Sequence, residues 1–153
     1  MRKIRKYSYI LVGLFLFLIP LSSEAVVTPK AEFYVADYAN VLSKETESYI
    51  VQTNIDLQQK TGAQIVVVTI PSLDGMDIEQ YANTLFRQWE IGSKEKNNGL
   101  LLLCSTGDRL FRVEVGYGLE GRLPDGKTGR MQDEYIIPYL KKNDYDTRNK
   151  KWI

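Results

Sequence analysis

The residues of this chain whose types and spacing suit chemistry are oxygen donors: Asp37, the pair Asn97 and Asn98, Glu120 and Asp125. Glu120 stands in the run Val115-Gly116-Tyr117-Gly118-Leu119-Glu120-Gly121, where glycine keeps Cβ atoms away and lets backbone groups approach a ligand or an adjacent loop. Carboxylates, amide oxygens and exposed backbone carbonyls are the donor set that calcium coordination asks for. Histidine is absent, which removes Ser-His and Cys-His catalysis, imidazole acid/base work and histidine-ligated zinc or iron together. Hard cations, calcium or magnesium, are the ions such a chain can take.

Each donor also has a plainer reading. Asp125 can cap a helix, and Asn97 and Asn98 can be turn residues that tolerate left-handed backbone. Glu120 can be solvated. Asp37 is flanked by Val35, Tyr38, Val41 and Leu42, so burying it demands a partner, an ion or a set of backbone N–H groups. Arg122, Lys127 and Arg130 follow the glycine-rich run and suit a phosphate or carboxylate, or else surface ion pairs of small worth.

The elements that must position these residues alternate between strand and helix patterns. Ser43 predicts the N-cap of a helix reaching about Lys60, with Ile50, Thr53 and Leu57 on one face and Thr61-Gly62 at its end. Ala63 to Ile70 is a nearly continuous β-branched run stopped by Pro71, the pattern of a central strand covered on both faces. Asp77 and Gln80 open a helix through Ile78, Ala82, Leu85, Phe86 and Trp89, with Gly92 after it; Phe86 and Trp89 read as core. Leu100 to Cys104 predicts a second buried strand, parallel to the first through a right-handed crossover. Phe111, Val113 and Val115 then alternate with Arg112 and Glu114 in an antiparallel strand, and Pro124-Asp125 starts a helix to about Ile137.

The expected fold is an α/β domain, a three-layer α/β/α sandwich with a small mixed, mainly parallel sheet. The antiparallel strand returns to the edge where Leu100 begins, so the Asn97-Asn98 loop and the glycine-rich run share that edge. Gly116 and Gly118 would shape the loop, Asn97, Asn98, Glu120 and Asp125 would meet there, and Asp37 is a candidate to join them.

The first 25 residues read as a signal peptide. Arg2, Lys3, Arg5 and Lys6 precede an apolar run from Tyr7 to about Leu21, and Ser23-Glu24-Ala25 is a small-x-small cleavage site. The run falls short of the roughly 20 residues a spanning helix needs; an uncleaved signal anchor is the alternative. The expected location is secreted or on the extracytoplasmic face of the membrane. Residues 26 to 32 read as a linker, 33 to 146 as the domain and 147 to 153 as a polar end. From residue 26 onward the chain carries 16 basic and 18 acidic residues, so its net charge of −2 gives no basic face for nucleic acid. Neither nucleic acid nor a dinucleotide is expected as a partner. The single cysteine, Cys104, ends an apolar run and reads as a small buried hydrophobe.

Five segments in order, Val35-Ala36-Asp37-Tyr38-Ala39, Thr61-Gly62-Ala63-Gln64-Ile65-Val66-Val67-Val68-Thr69, Asn98-Gly99-Leu100-Leu101-Leu102, Val115 to Gly121 and Leu123-Pro124-Asp125, resemble the TPM domain, the family named for thylakoid-lumen, photosystem-repair and receptor-modulator proteins. The resemblance runs from about Phe33 to Tyr145. It implies an α/β/α sandwich on the extracytoplasmic side of a membrane, in a family where some relatives bind calcium and some have been assigned acid phosphatase activity. Carried onto this chain, it implies an ion site at Asp37, the pair before Gly99 and Asp125, and a membrane-protein partner met in repair or quality control. Asn97 stands where the family often has Asp, which removes a charge from a cation site. The alternative implied is a metal-dependent acid phosphatase in which the same acids hold the ion and Arg122 or Arg130 holds phosphate.

Overall fold

The computed structural model describes residues 26–142, 144 and 145; the segments read as a signal peptide and as a polar end lie outside the described residues. The β-branched run forms β2 (Gln64–Ile70), with β1 (Val35–Asp37) on one side and β3 (Gly99–Ser105) on the other, both parallel to it. A tight turn brings β4 (Leu110–Val115) back antiparallel to β3, giving the order β1-β2-β3-β4. The sheet is mixed and mainly parallel.

Among the described residues five helices surround it: α1 (Lys44–Thr61), α2 (Ile78–Gln88), α3 (Tyr117–Glu120), α4 (Asp125–Tyr135) and α5 (Ile137–Leu140). Ser43 caps α1 by accepting from the Thr46 N–H, and Gly62 ends it in the left-handed conformation at φ 76°. Asp77 caps α2 by accepting from the N–H groups of Glu79 and Gln80.

Successive side chains on a strand point to opposite faces, and here both faces are covered. On one, Val66, Val68, Ile70, Leu101 and Leu103 pack against Tyr81, Ala82, Leu85 and Trp89 of α2 and the residue that follows it. On the other, Val67, Leu100 and Leu102 pack against Ile50 of α1 and Ile136 between α4 and α5. Both crossovers step the same way across the sheet while α1 and α2 lie on opposite faces. The two connections therefore have opposite hands, and the right-handed rule holds for just one of them.

Two features depart from the sequence pattern. The wedge of α1 is Asn54 rather than Thr53. It is fully buried, its Nδ2 donates to the Ile50 carbonyl at 3.0 Å and its Oδ1 accepts from the Ile65 N–H at 3.1 Å. An amide that satisfies both its ends can sit in an apolar layer. The start of the segment read as a linker is docked: Val26 is buried in the α2-side core, and the Trp89 indole N–H donates to the Val27 carbonyl at 2.9 Å. No described helix is long and apolar enough to cross a membrane.

Candidate functional site

The loop before β3 and the loop after β4 meet at one edge of the sheet, as the antiparallel return of β4 requires. The Gly116 N–H donates to the Gly99 carbonyl at 2.8 Å and the Gly118 N–H to the Asn97 carbonyl at 3.0 Å. A Cβ on Gly116 would overlap the Asn97 carbonyl oxygen, and one on Gly118 the Lys96 carbonyl oxygen. Glycine is required here for space: two backbones are pressed together with no room for a side chain between them.

Both asparagines serve this closure. Asn97 takes φ 47°, and its main chain bonds both Ser93 and Gly118. Asn98 is buried; its Oδ1 accepts from the Ser93 N–H at 3.0 Å and its Nδ2 donates to the Gly62 carbonyl at 2.8 Å. Its amide ties the loop to the end of α1, so its side-chain oxygen is already engaged.

Glu120 and Asp125 come together. Both are exposed and line a cleft of about 370 Å³ between β4 and α4, with Glu114, Thr128 and Gln132. Asp125 is the first residue of α4 rather than its cap, since Pro124 takes the cap position and makes no side-chain bond there. A carboxylate in that first turn is favoured by the helix dipole. Glu114 is held by Arg112 at 3.4 Å, and Arg112 also pairs with Glu79 at 2.8 Å.

Asp37 does not join them, and here the structure corrects the expected convergence. It pairs in register with Thr69, five residues along β2 from the Gln64 that pairs with Gly99, a separation of about 16 Å along the strand. The β1 end of the sheet is thus the opposite edge. Asp37 is 5% exposed and its carboxylate accepts from the Val41 N–H at 3.2 Å, the Leu42 N–H at 2.8 Å and the Thr69 hydroxyl. The cost of burying it is offset by these donors. Among the described residues no group of three His, Cys, Asp or Glu is placed to hold a metal ion.

The cations form a second neighbourhood. Arg122 and Lys127 line a groove of about 610 Å³, joined by Lys96, which the sequence pattern did not single out. The only signal for Lys96 was its place just before the Asn97-Asn98 pair. Among the described residues none of these three, nor Arg130, makes an ion pair, so the surface pairing read from their spacing is not formed.

Cys104 supplies no nucleophile. It is 3% exposed and burial pushes its thiol up to about 12. The folded protein at pH 8 is expected to leave a thiol reagent such as iodoacetamide unreacted over hours, and to react in full once unfolded in guanidinium. Rapid labelling of the folded chain would contradict this.

Comparison with known proteins fits this architecture. The TPM domain matches residues 35–147. The N-terminal domain of a protein from P. gingivalis, solved by NMR, is 36% identical with a TM-score of 0.68, over 73% of this chain and 71% of that one. The N-terminal domain of cg2496 from Corynebacterium glutamicum is 20% identical with a TM-score of 0.56, over 80% of this chain and 79% of that one. BA42 from the psychrophilic Bizionia argentinensis is 19% identical with a TM-score of 0.59, over 71% and 72% respectively. The last two speak for the fold alone, and no curated protein matches the chain. The matched span takes in the four strands, the interlocked loops and both neighbourhoods of charge, and the chain belongs to the TPM domain family.

Proposed function

We propose that the protein is an exported interaction module that binds calcium weakly and acts on membrane-associated partners without turnover of its own. The observation that carries this reading is the β4–α4 cleft, where Glu120 and Asp125 stand exposed beside the Thr128 hydroxyl and the Gln132 amide. Two free carboxylates with neutral oxygens and water in the remaining positions suit a hard ion of flexible coordination. The ion would be held by Glu120 and Asp125, not by Asp37.

Turnover is not part of the proposal because the groups a phosphatase would combine are apart. The acids line one cleft, where Arg112 is already paired with Glu79 and Glu114, and Lys96, Arg122 and Lys127 line another; no residue belongs to both. Neither histidine nor a reactive thiol stands in to move a proton or form a covalent intermediate.

Calorimetric titration of the protein with calcium tests the reading. Extracellular modules bind in the range of about 10⁻⁴ to 10⁻³ M, so 10 mM calcium should raise stability by about 2 kcal/mol and the melting temperature by several degrees. Glu120→Gln combined with Asp125→Asn is expected to abolish both the heat and the shift. No heat and no shift in the unaltered protein would overturn the calcium reading.

A further inference from the structure

The face of the sheet on the α1 side is not covered evenly. Between the end of α1 and the α3–α4 segment it opens into the 610 Å³ groove, which runs into a second, smaller hollow of about 200 Å³ under α4. Ile65, Leu100 and Leu123 line both, so the two are one continuous depression with an apolar floor. Its first part is a cleft of ligand-binding size.

The two ends differ in chemistry. At the wider end Lys96, Arg122 and Lys127 stand exposed around Leu119 and Leu123. At the narrower end Met131 and Tyr135, 39% and 40% exposed, flank the hollow. No aspartate or glutamate lines either part, although acids outnumber bases from residue 26 onward. Three cations that make no ion pair among the described residues, gathered on an apolar floor in a chain that is acidic from residue 26 onward, form a complementary surface for an acidic, partly apolar ligand.

We propose that this groove is the docking site for a partner's acidic peptide segment: an apolar side chain seats in the hollow beside Met131 and Tyr135, and carboxylates a few residues away meet Lys96, Arg122 and Lys127. The proposal rests on reading the chain as an interaction module, and it needs no metal. Residues 147–153 are the wrong sign for the groove, since they carry Arg148, Lys150 and Lys151 and no acid. A flat lipid surface is the wrong shape, because the shared apolar floor of Ile65, Leu100 and Leu123 lies within a depression. A peptide fits both the concavity and the charge, its apolar anchors supplying affinity and its carboxylates orientation and on-rate.

The test is fluorescence anisotropy with the full chain in EDTA and three labelled synthetic peptides. The first carries two leucines beside four glutamates, the second replaces the glutamates with glutamines, and the third replaces the leucines with serines. The first is expected to bind, weakening with added salt, and the other two to bind about tenfold or more weaker. Arg122→Glu and, separately, Met131→Glu are expected to weaken the first peptide by a similar factor; both positions are exposed, and circular dichroism checks the fold. Equal affinity for all three peptides, or no effect of either substitution, would overturn the proposal. So would binding to anionic phosphatidylglycerol vesicles that Arg122→Glu abolishes while the peptides do not bind, which assigns the groove to lipid. A dimer dissociated by Arg122→Glu, again without peptide binding, would assign it to a second copy. Because calcium is absent throughout, loss of the calcium reading leaves this result intact, and failure here leaves calcium binding at Glu120 and Asp125 standing.

Discussion

Gly99→Ala is expected to destabilise the protein by roughly 3 kcal/mol and to lower its melting temperature by about 10 °C. Gly99 opens β3 in full burial, where an added Cβ would stand 2.6 Å from the Ile91 carbonyl carbon and 2.8 Å from the Gly92 nitrogen. These neighbours are backbone and cannot turn aside as a flexible side chain would. Gly92 itself holds φ 91°, and a Cβ there would meet the Gly99 Cα at 2.9 Å, so neither strand of the contact has room to give. Overpacking usually costs about 1 to 3 kcal/mol, and a backbone obstacle puts this case at the upper end. Gly129→Ala is the control of opposite sign. A Cβ there meets nothing within 4 Å, and its helical backbone suits alanine, so a gain of about 0.5 to 1 kcal/mol is expected. Guanidinium denaturation of both variants checks the pair; equal effects would mean that the close approach at Gly99 carries no energy.

Asp37→Ala is expected to cost about 3 kcal/mol while leaving calcium affinity unchanged. The substitution strips the acceptor from two backbone N–H groups and the Thr69 hydroxyl, and an unsatisfied buried donor costs about 1 to 3 kcal/mol. The Val41 and Leu42 N–H groups are partly exposed at the chain's turn into α1, which keeps the total below the simple sum, while the Thr69 hydroxyl on β2 is buried. Asp37→Asn should cost less, because the amide oxygen keeps one or two of these bonds, although its NH₂ then opposes a remaining N–H donor. Thermal melts give the stability, and calorimetry of the same variants gives the ion. A folded Asp37→Ala protein that no longer bound calcium would place the ion at the β1 edge and overturn the assignment to Glu120 and Asp125.

Most of the fold was legible because its signals are local. The continuous run from Ala63 to Ile70 names a strand covered on both faces, Ser43 and Asp77 name helix starts, and the alternation after Arg109 names a return strand. The shared edge of the two loops followed from strand direction alone. Asp37 could not be placed the same way. Its destination depends on where β1 pairs along β2, and a three-residue strand carries no pattern that sets the register. Asn98 and Asn54 were opaque for a related reason: a buried amide is read from its partners, and those lie 36 and 11 residues away in the chain, at Gly62 and Ile65. Arg122 and Lys127 were near acids in sequence but face a different hollow in space, so spacing suggested ion pairs the fold does not make.

The contact of the loop before β3 with the glycine-rich run is made from main chain on both sides. It is therefore a latch whose strength does not depend on which side chains point outward around it. Lys96, Tyr117 and Glu120 are all exposed beside it, and none takes part in the contact through its side chain. A lineage can exchange such residues, and with them its ligand, while the latch keeps the same backbone shape. Inheritance of the glycines then transmits a platform, and each descendant is free to acquire its own chemistry upon it.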